Sequence, residues 1–214
     1  MSIEQRIEGL KIIPVVRIDN PSDAVPLGRA LIDGGLPAAE ITFRTDAAYE
    51  SIQRLSAGLS DLVVSAGTVL TIEQVNQAMD AGAQFVVSPG FNPRIVDYCI
   101  NRHVPIFPGV NSPAGVEQGL ERGLKVLKFF PAEASGGIAM IKAMAAPYAD
   151  IRFVATGGIN RENILGYLSL PAVLACGGSW MVKPELILEG RFDEITALTK
   201  EAVAAVRSIN IRRQ

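Results

Sequence analysis

Eight short runs of apolar residues recur along the chain, each bounded by glycine, proline or charged positions. They lie roughly 20 to 25 residues apart, which is enough chain for a strand, a tight loop and a helix of about three turns. The pattern therefore predicts eight βα units. The predicted strands are residues 12–16, 38–43, 62–67, 85–90, 104–109, 125–131, 151–158 and 172–178.

Amphipathic stretches with helix start and stop signals fill the intervals between these runs. Residues 20–23 open a helix that ends near residues 34–35, and residues 71–74 read as a capping box at the start of a helix that ends near residues 81–82. Residues 2–10 form a further helix ahead of the first strand. We expect this first helix to cover the floor of the fold.

The predicted strands are almost continuously apolar, which indicates burial on both faces, as in an all-parallel sheet covered by helices. Eight units in 214 residues favour a closed barrel, because an open sheet of eight parallel strands exposes two edges and usually needs more chain. The predicted fold class is α/β, a single (β/α)8 TIM barrel with an N-terminal helix. Residues 1–214 are predicted to form one domain.

Composition supports a compact globular protein, since 49% of the residues are hydrophobic and only 20% are charged. The net charge of −2 supplies no global basic field for binding nucleic acid or an anionic membrane. No apolar run approaches the roughly 18 residues of a membrane span, and the first ten residues do not resemble a signal peptide. Cys99 and Cys176 are too isolated for a disulfide framework, so we expect two buried thiols and a cytoplasmic location.

Polar residues collect where the predicted strands end, which is the face that carries the active site in such a barrel. Side chains alternate along a strand, so Glu40, Thr42 and Arg44 share one face of the second strand. Lys128 and Phe130 likewise share one face of the sixth strand. Because strands two and six stand opposite each other in an eight-strand ring, Glu40 and Lys128 are predicted to meet near the barrel axis.

A buried Lys128–Glu40 pair has two interpretations. One is a structural salt bridge, which is costly to desolvate and is weak evidence for stability. The other is catalytic, because burial beside Phe130 and the positive charge of Arg44 favour the neutral amine that a Schiff-base nucleophile requires. Glu40 would then move protons to and from the substrate. The position at the barrel mouth favours the catalytic interpretation.

Two Gly-Gly turns follow the last two predicted strands, at residues 156–158 and 177–179. Glycines let backbone N–H groups approach an anion, and the loops after strands seven and eight are the usual phosphate site of this fold. A tight turn explains one Gly-Gly pair equally well. Two pairs in successive units favour phosphate binding.

Three other features receive no catalytic role. His103 falls in a turn on the floor side and is predicted to be a surface residue. Glu133 follows the sixth strand, where a loop carboxylate is usually solvated, so it is left unassigned. The basic residues 207–213 are predicted to close the last helix and to interact with its C-terminal dipole.

A set of motifs from residue 12 to the C terminus matches a known family. They are PVVRI, GGLPAAEITFRT, SAGTVLT, AGAQFVVSPG, PIFPGV, LKFFPAEASGG, RFVATGGIN and GGSWMV. The combination of EITFRT, LKFFPAE and TGGI at these positions is highly specific. The chain resembles the class I aldolases that act on 2-keto-3-deoxy-6-phosphogluconate (KDPG), a family that also acts on 4-hydroxy-2-oxoglutarate (KHG).

The resemblance implies a role for each matching residue. Lys128 is the expected Schiff-base lysine and Glu40 the expected general acid and base. The residues expected to hold the pyruvate portion of the substrate are Arg44, Thr68, Pro89 and Phe130. The residues expected at the phosphate end are Arg17, Thr156, Gly157, Gly158, Gly178 and Ser179.

The implied reaction is retro-aldol cleavage of KDPG to pyruvate and D-glyceraldehyde 3-phosphate, a step of the Entner–Doudoroff pathway. KHG, cleaved to pyruvate and glyoxylate, is the implied second substrate. Neither a cofactor nor a metal is expected, since no His or carboxylate cluster could hold a catalytic metal. The resemblance also implies a homotrimer.

Three alternatives stay open on the sequence. The first is an aldolase for 2-dehydro-3-deoxy-6-phosphogalactonate, which is disfavoured because such aldolases tend to have an uncharged residue at the position of Arg44. The second is a phosphosugar isomerase or epimerase, which shares the phosphate site but needs no imine lysine. The third is a non-catalytic phosphosugar-binding barrel in which Lys128 and Glu40 form only a buried pair.

Overall fold

The computed structural model describes residues 1–211, with side chains through residue 207, and this part contains nine parallel strand segments. The strands are β1 (Ile12–Val16), β2 (Ala38–Thr42), β3 (Val63–Gly67), β4 (Phe85–Val87), β5 (Ile106–Phe107), β6 (Gly109–Val110), β7 (Val126–Phe129), β8 (Arg152–Thr156) and β9 (Val173–Gly178). Their order in the sheet is β5-β4-β3-β2-β1-β9-β8-β7-β6. Every predicted run therefore contains a strand; the first has the predicted bounds, and most of the others are shorter than predicted.

The fifth predicted run is divided at Pro108 into β5 and β6. Proline has no N–H to donate to a neighbouring strand, whereas the Pro108 carbonyl accepts a hydrogen bond of 2.9 Å from the Lys128 N–H. β5 pairs with β4, and β6 pairs with β7, so the two halves of this run join the two ends of the sheet. The nine segments thus occupy eight positions around a ring, which confirms the predicted (β/α)8 barrel.

Helices alternate with the strands and cover the outside of the barrel. They are α1 (Ile3–Leu10), α2 (Ala24–Asp33), α3 (Ala48–Gly58), α4 (Ile72–Asp80), α5 (Pro93–Asn101), α6 (Pro113–Glu121), α7 (Gly137–Ala145), α8 (Ile164–Leu168), α9 (Pro184–Leu188) and α10 (Phe192–Ile211). Single turns of 3-10 helix, Pro21–Asp23 and Glu133–Ser135, precede α2 and α7.

Of the two hydrogen bonds in the capping box predicted at residues 71–74, one is formed and the other is not. The Thr71 side chain caps α4 by accepting from the Gln74 N–H, but the Gln74 side chain accepts from the N–H of Leu70 and not from that of Thr71. A complete capping box is present instead at Ser2 and Gln5, where α1 begins.

The core has two layers, one between strands and helices and one inside the barrel. The outer layer contains alternate strand residues such as Ile41, Leu127 and Phe153. The inner layer contains the strand residues between them, and Ile7 of α1 belongs to it. Ile7 is 1% exposed, so α1 closes the amino-terminal end of the barrel as predicted.

Both cysteines are buried free thiols, as predicted, and burial raises the pKa of Cys99 to about 11. His103 is exposed in a turn after α5, also as predicted. Within residues 1–211, no helix is long and apolar enough to cross a bilayer. The prediction for the basic residues after Arg207 lies outside the described side chains.

Candidate active site

Lys128 of β7 and Glu40 of β2 meet inside the barrel. The Lys128 Nζ lies 3.4 Å from Glu40 Oε1, and the side chains are only 6% and 2% exposed. Two residues earlier on the same strands, Val126 and Ala38 belong to the apolar inner layer. The pair therefore rests on an apolar floor and faces the carboxyl-terminal mouth, and the predicted meeting of the two side chains is confirmed.

Glycines on neighbouring strands leave room for the pair. A Cβ placed on Gly67 of β3 would lie 2.7 Å from Cγ of Glu40, closer than real carbon contacts allow. Gly109 of β6 pairs in register with Lys128, and a Cβ there would run into the backbone of Pro89 and Gly90. Gly67 is thus required by the packing around Glu40, and Gly109, beside Lys128, is required by the close approach of the segment after β4.

Arg44 follows β2 and is anchored by a chain of hydrogen bonds. Its Nε donates to Oγ1 of Thr42 at 3.1 Å, and the Thr42 hydroxyl donates to the carbonyl of Val16 at 2.8 Å. Thr42 is buried, whereas Arg44 is exposed. The sequence placed Thr42 on the same strand face but gave it no role; its position between two site residues was the available signal.

Three more residues predicted for the pyruvate portion lie on the same rim. The Phe130 ring centroid is 5.1 Å from the Lys128 Nζ. Thr68, directly after β3, is half-buried with a positive φ of 56°, and Pro89, two residues after β4, is also half-buried. Because the carboxyl ends of parallel strands meet at one end of a barrel, these residues surround the opening above Lys128.

The glycine turn after β8 has the backbone of an anion site. Gly157 and Gly158 have φ of 101° and 78°, the left-handed region that favours glycine. Neither N–H donates a hydrogen bond within residues 1–211. Successive free N–H groups in such a turn form a concave site for an anion.

The second predicted phosphate loop lies beside the first. Gly178 ends β9 and pairs with Pro14 of β1, so Ser179 and Arg17 follow neighbouring strand ends. Arg17 is exposed, and its guanidinium forms an ion pair with Asp19 at 3.1 Å. Ser179 is exposed as well. The structure thus brings these loops to one rim, while the Arg17 guanidinium is engaged by a neighbour that the sequence reasoning did not consider.

Two buried hydroxyls near the site have no hydrogen-bond partner among the described residues. Thr156 ends β8 and Ser65 pairs in register with Glu40 on β3. The first was predicted as a substrate-binding residue, whereas the second was missed. An unpaired buried hydroxyl is costly in an apolar environment, so each of these groups is suited to a polar ligand or to a water.

Glu133 is exposed, as the sequence suggested, but one of its carboxylate oxygens has a protein partner. Its Oε1 accepts a hydrogen bond from the hydroxyl of Tyr167, which is fully buried on α8. The pKa of Tyr167 is raised, mainly by burial and to a smaller extent by the hydrogen bond to Glu133. Sequence reasoning missed this contact because the two residues are 34 positions apart and lie on elements of different type.

No group of three His, Cys, Asp or Glu side chains in the described part of the chain is arranged to hold a metal ion. The chemistry assembled at the mouth is instead a buried amine next to a carboxylate, flanked by an arginine and by free backbone N–H groups. Such a set can form an imine, move protons and hold an anion.

Comparison with known proteins gives consistent results. The family model for KDPG and KHG aldolases matches residues 3–198. The 2-dehydro-3-deoxy-phosphogluconate aldolase of Treponema pallidum is 50% identical over 206 residues, which cover 96% of this chain and 98% of that protein.

Two solved structures are also similar over most of both chains. The KDPG aldolase of Legionella pneumophila, with pyruvate captured as a covalent carbinolamine, is 37% identical with a TM-score of 0.90, over 93% of this chain and 97% of that one. The enzyme of Zymomonas mobilis ZM4, with 3-phosphoglycerate, is 39% identical with a TM-score of 0.87, over 94% and 95%. The match to the family model and these similarities show that the chain belongs to the KDPG and KHG aldolase family.

Proposed function

We propose that this protein is a class I aldolase that cleaves KDPG to pyruvate and D-glyceraldehyde 3-phosphate, with Lys128 as the Schiff-base residue and Glu40 as the general acid and base. The observation that carries the proposal is the buried contact of 3.4 Å between Lys128 Nζ and Glu40 Oε1 at the barrel mouth. The sequence similarity to KDPG aldolases over most of the chain supports the choice of substrate.

The first step joins substrate and enzyme. The lone pair of the neutral Lys128 amine attacks C2 of the keto acid, and a proton moves from the attacking nitrogen to the former carbonyl oxygen to give a neutral carbinolamine. Glu40, protonated, donates its proton to the carbinolamine hydroxyl, which leaves as water. The product is a protonated imine, which accepts electrons readily. The carbinolamine captured in the Legionella pneumophila relative is the species expected at the middle of this step.

The second step breaks the C3–C4 bond. Glu40, now a carboxylate, removes the proton from the C4 hydroxyl, the C4–O bond becomes a carbonyl, and the electron pair of the C3–C4 bond moves into the imine. D-glyceraldehyde 3-phosphate leaves, and an enamine remains on Lys128. Glu40 then returns its proton to C3, and water hydrolyses the imine to release pyruvate and the free amine. The two partners thus perform all the proton transfers without a further titratable side chain.

Two groups of residues hold the ends of the substrate. We assign the carboxylate and keto end to Arg44, Thr68, Pro89 and Phe130. We assign the distal phosphate end to Arg17, Thr156, Gly157, Gly158, Gly178 and Ser179. The 3-phosphoglycerate in the Zymomonas mobilis relative is a phosphorylated acid of the size expected for the second group.

The substrate preference follows from Arg44. We assign gluconate stereochemistry at C4, in preference to the galactonate epimer, because phosphogalactonate aldolases tend to have an uncharged residue at the position that Arg44 occupies here. KHG, which lacks the phosphate, is assigned as a second substrate. Turnover on the two C4 epimers measures this preference directly.

We also propose that residues 1–214 form one domain, that the protein is a cytoplasmic homotrimer and that KDPG cleavage serves the Entner–Doudoroff pathway. The free thiols of Cys99 and Cys176 fit a reducing compartment. Leu70, at the mouth side of β3, is 54% exposed, and Leu188 on α9 is 77% exposed, so apolar surface is available for subunit contact. Light scattering on the purified protein measures the oligomeric state.

The proposed function is tested by trapping the imine. The protein is incubated with pyruvate, reduced with borohydride, digested and mapped by mass spectrometry. We expect one pyruvate-derived adduct, on Lys128, and none in Lys128→Gln. The control is Lys125→Gln, since Lys125 is exposed on the same segment and pairs only loosely with Asp150 at 3.9 Å; it should retain the adduct. No adduct on Lys128 in the wild-type protein would overturn the covalent mechanism.

A further inference from the structure

The side chain of Glu133 covers the glycine turn after β8. A Cβ placed on Gly158 would lie 2.6 Å from Cγ and 2.7 Å from Cβ of Glu133, so only glycine fits beneath this side chain. The Glu133 carboxylate continues past the turn to the buried hydroxyl of Tyr167. A Cβ on Gly137, at the start of α7, would be 3.0 Å from that hydroxyl and 3.2 Å from Glu133 Oε1. We call the hydrogen bond between Tyr167 and Glu133 the bridge. The backbones of Gly158 and Gly137 border it on two sides.

The backbone of the same segment fixes the orientation of the turn. The N–H groups of Ala132 and Glu133 donate to the carbonyls of Thr156 and Gly157, at 2.7 and 3.0 Å. In a trans peptide the C=O and the following N–H point in opposite directions. The N–H groups of Gly157 and Gly158 therefore point away from the end of β7.

The opposite side of the turn is held by α8. The Asn163 side-chain amide donates to the Gly158 carbonyl at 2.9 Å, and Tyr167 lies one helical turn further along the same element. The turn is thus fixed between the end of β7 and the start of α8. The Tyr167–Glu133 hydrogen bond is a side-chain contact that joins those two segments directly.

The bridge also restricts the position of the negative charge on the Glu133 carboxylate. A carboxylate free to rotate at this position could approach the N–H groups of Gly157 and Gly158, where it would compete with an anion and repel it. The hydrogen bond to the Tyr167 hydroxyl limits this rotation of the carboxylate. Because burial and the carboxylate raise the pKa of Tyr167, the hydroxyl keeps its proton and remains a donor throughout the neutral range.

We infer that Glu133 and Tyr167 are positioning residues for the phosphate end of the substrate, and that their hydrogen bond sets the geometry of the Gly157–Gly158 turn relative to Lys128. Neither residue touches the reacting atoms. The inference rests on the proposed function for the identity of the ligand. It predicts that the bridge matters for phosphorylated substrates and is irrelevant to imine formation with pyruvate.

The test compares KDPG with its unphosphorylated analogue, 2-keto-3-deoxygluconate, in Tyr167→Phe and Glu133→Ala. We expect KM for KDPG to rise about tenfold, as loss of a charge-assisted hydrogen bond implies, with kcat and the KM for the analogue changed by less than about twofold. Glu133→Gln keeps an acceptor for Tyr167, so it should restore most of the KDPG affinity. The matched control is Tyr148→Phe, which removes a similar hydroxyl from Glu117 on the outer face of the barrel, at 2.8 Å; it should change neither KM.

Each outcome bears on the bridge. Equal losses on both substrates would mean a general structural role, and an unchanged KDPG KM in folded Tyr167→Phe and Glu133→Ala would mean no role; either result overturns the inference. Calorimetry with 3-phosphoglycerate separates this inference from the proposed function, since it requires no imine. Weaker binding in Tyr167→Phe supports the bridge even if pyruvate trapping fails in the wild type. Unchanged binding overturns it even if trapping succeeds.

Discussion

Lys128 Nζ and Glu40 Oε1 lie 3.4 Å apart, although 88 positions separate the two residues along the chain. Strands on opposite sides of the barrel bring them together, and both side chains are almost completely buried. Desolvating two charges costs several kcal/mol per ion, so a pair of this kind adds little to stability. The contact is better explained by a reaction that needs an amine and a proton carrier within one hydrogen-bond length.

Glu40→Gln separates chemistry from structure. The amide has the shape of the carboxylate but cannot exchange protons, so we expect turnover on KDPG to fall about 100-fold to 10,000-fold. The melting temperature should change little, because an acceptor for Lys128 is retained. Steady-state kinetics and thermal unfolding of the purified variant measure both effects.

The matching control for that variant is Glu50→Gln, on the outer surface of α3, where Glu50 pairs with Arg54 at 2.6 Å. It should leave turnover unchanged. Full activity in Glu40→Gln would remove the role assigned to Glu40, whatever the control shows.

Gly67→Ala should displace Glu40 by sterics alone. The added methyl group would lie 2.7 Å from Cγ of Glu40, and the buried carboxylate has little space into which to move. Overpacking of this kind costs about 1–3 kcal/mol of unfolding free energy, and we expect kcat to fall more than about tenfold because the base is misplaced. Gly9→Ala on α1 is the control, since nothing lies within 4 Å of a Cβ there. Equal kcat in both variants would contradict the packing argument.

The barrel could be predicted from sequence because its strands are buried on both faces, which leaves a strong apolar signature at regular intervals. The same logic placed Glu40 and Lys128 on the inner face, since alternation and ring geometry require no side-chain detail. The division of the fifth strand at Pro108 was also within reach, because a missing N–H limits pairing on one side.

Side-chain partners across loops could not be predicted. The Tyr167–Glu133 hydrogen bond depends on how far α8 lies from the end of β7, which no periodic pattern encodes. Arg17 was assigned to the phosphate end on the basis of resemblance, yet its guanidinium contacts Asp19, a local ion pair that competes for the same donor groups. Exposed charges choose among several nearby partners of similar energy, so sequence alone does not select one.

The contact between Glu8 of α1 and Arg152 at the floor of the barrel should make the free energy of unfolding depend on pH. The hydrogen bond from Arg152, with help from Lys11, lowers the pKa of Glu8 below its usual value of 4.5. The unfolded chain therefore takes up this proton at higher pH than the folded chain does. The stabilisation is fully present above the unfolded value and is lost as the pH falls through the folded value. Because Glu8 is nearly half exposed, we expect about 0.5 kcal/mol at neutral pH.

Glu8→Gln measures this contribution when unfolding free energies are recorded by urea titration from pH 7 downward. The variant should be slightly less stable at pH 7 and should converge with the wild type in acid. The double variant with Arg152→Gln closes the cycle, and there the Glu8 substitution should have a smaller effect, because only Lys11 still lowers the pKa of Glu8. A difference that grows toward low pH would reverse the sign argued from the Arg152 contact.

Thr42→Val tests whether the orientation of Arg44 matters for binding the keto-acid end. The substitution keeps the volume of Thr42 but removes the oxygen that accepts from Arg44 Nε and donates to the Val16 carbonyl. Released from this anchor, the guanidinium samples other rotamers, and we expect KM for pyruvate in the condensation direction to rise about tenfold. Because the Lys128–Glu40 contact is untouched, kcat should change much less.

Thr42→Ser is the control for this variant, because it retains the hydroxyl. It should restore the affinity, which separates the effect of the hydrogen bond from that of side-chain packing. A loss confined to kcat would instead place Thr42 in the proton transfers, and would argue against Arg44 as the group that holds the carboxylate.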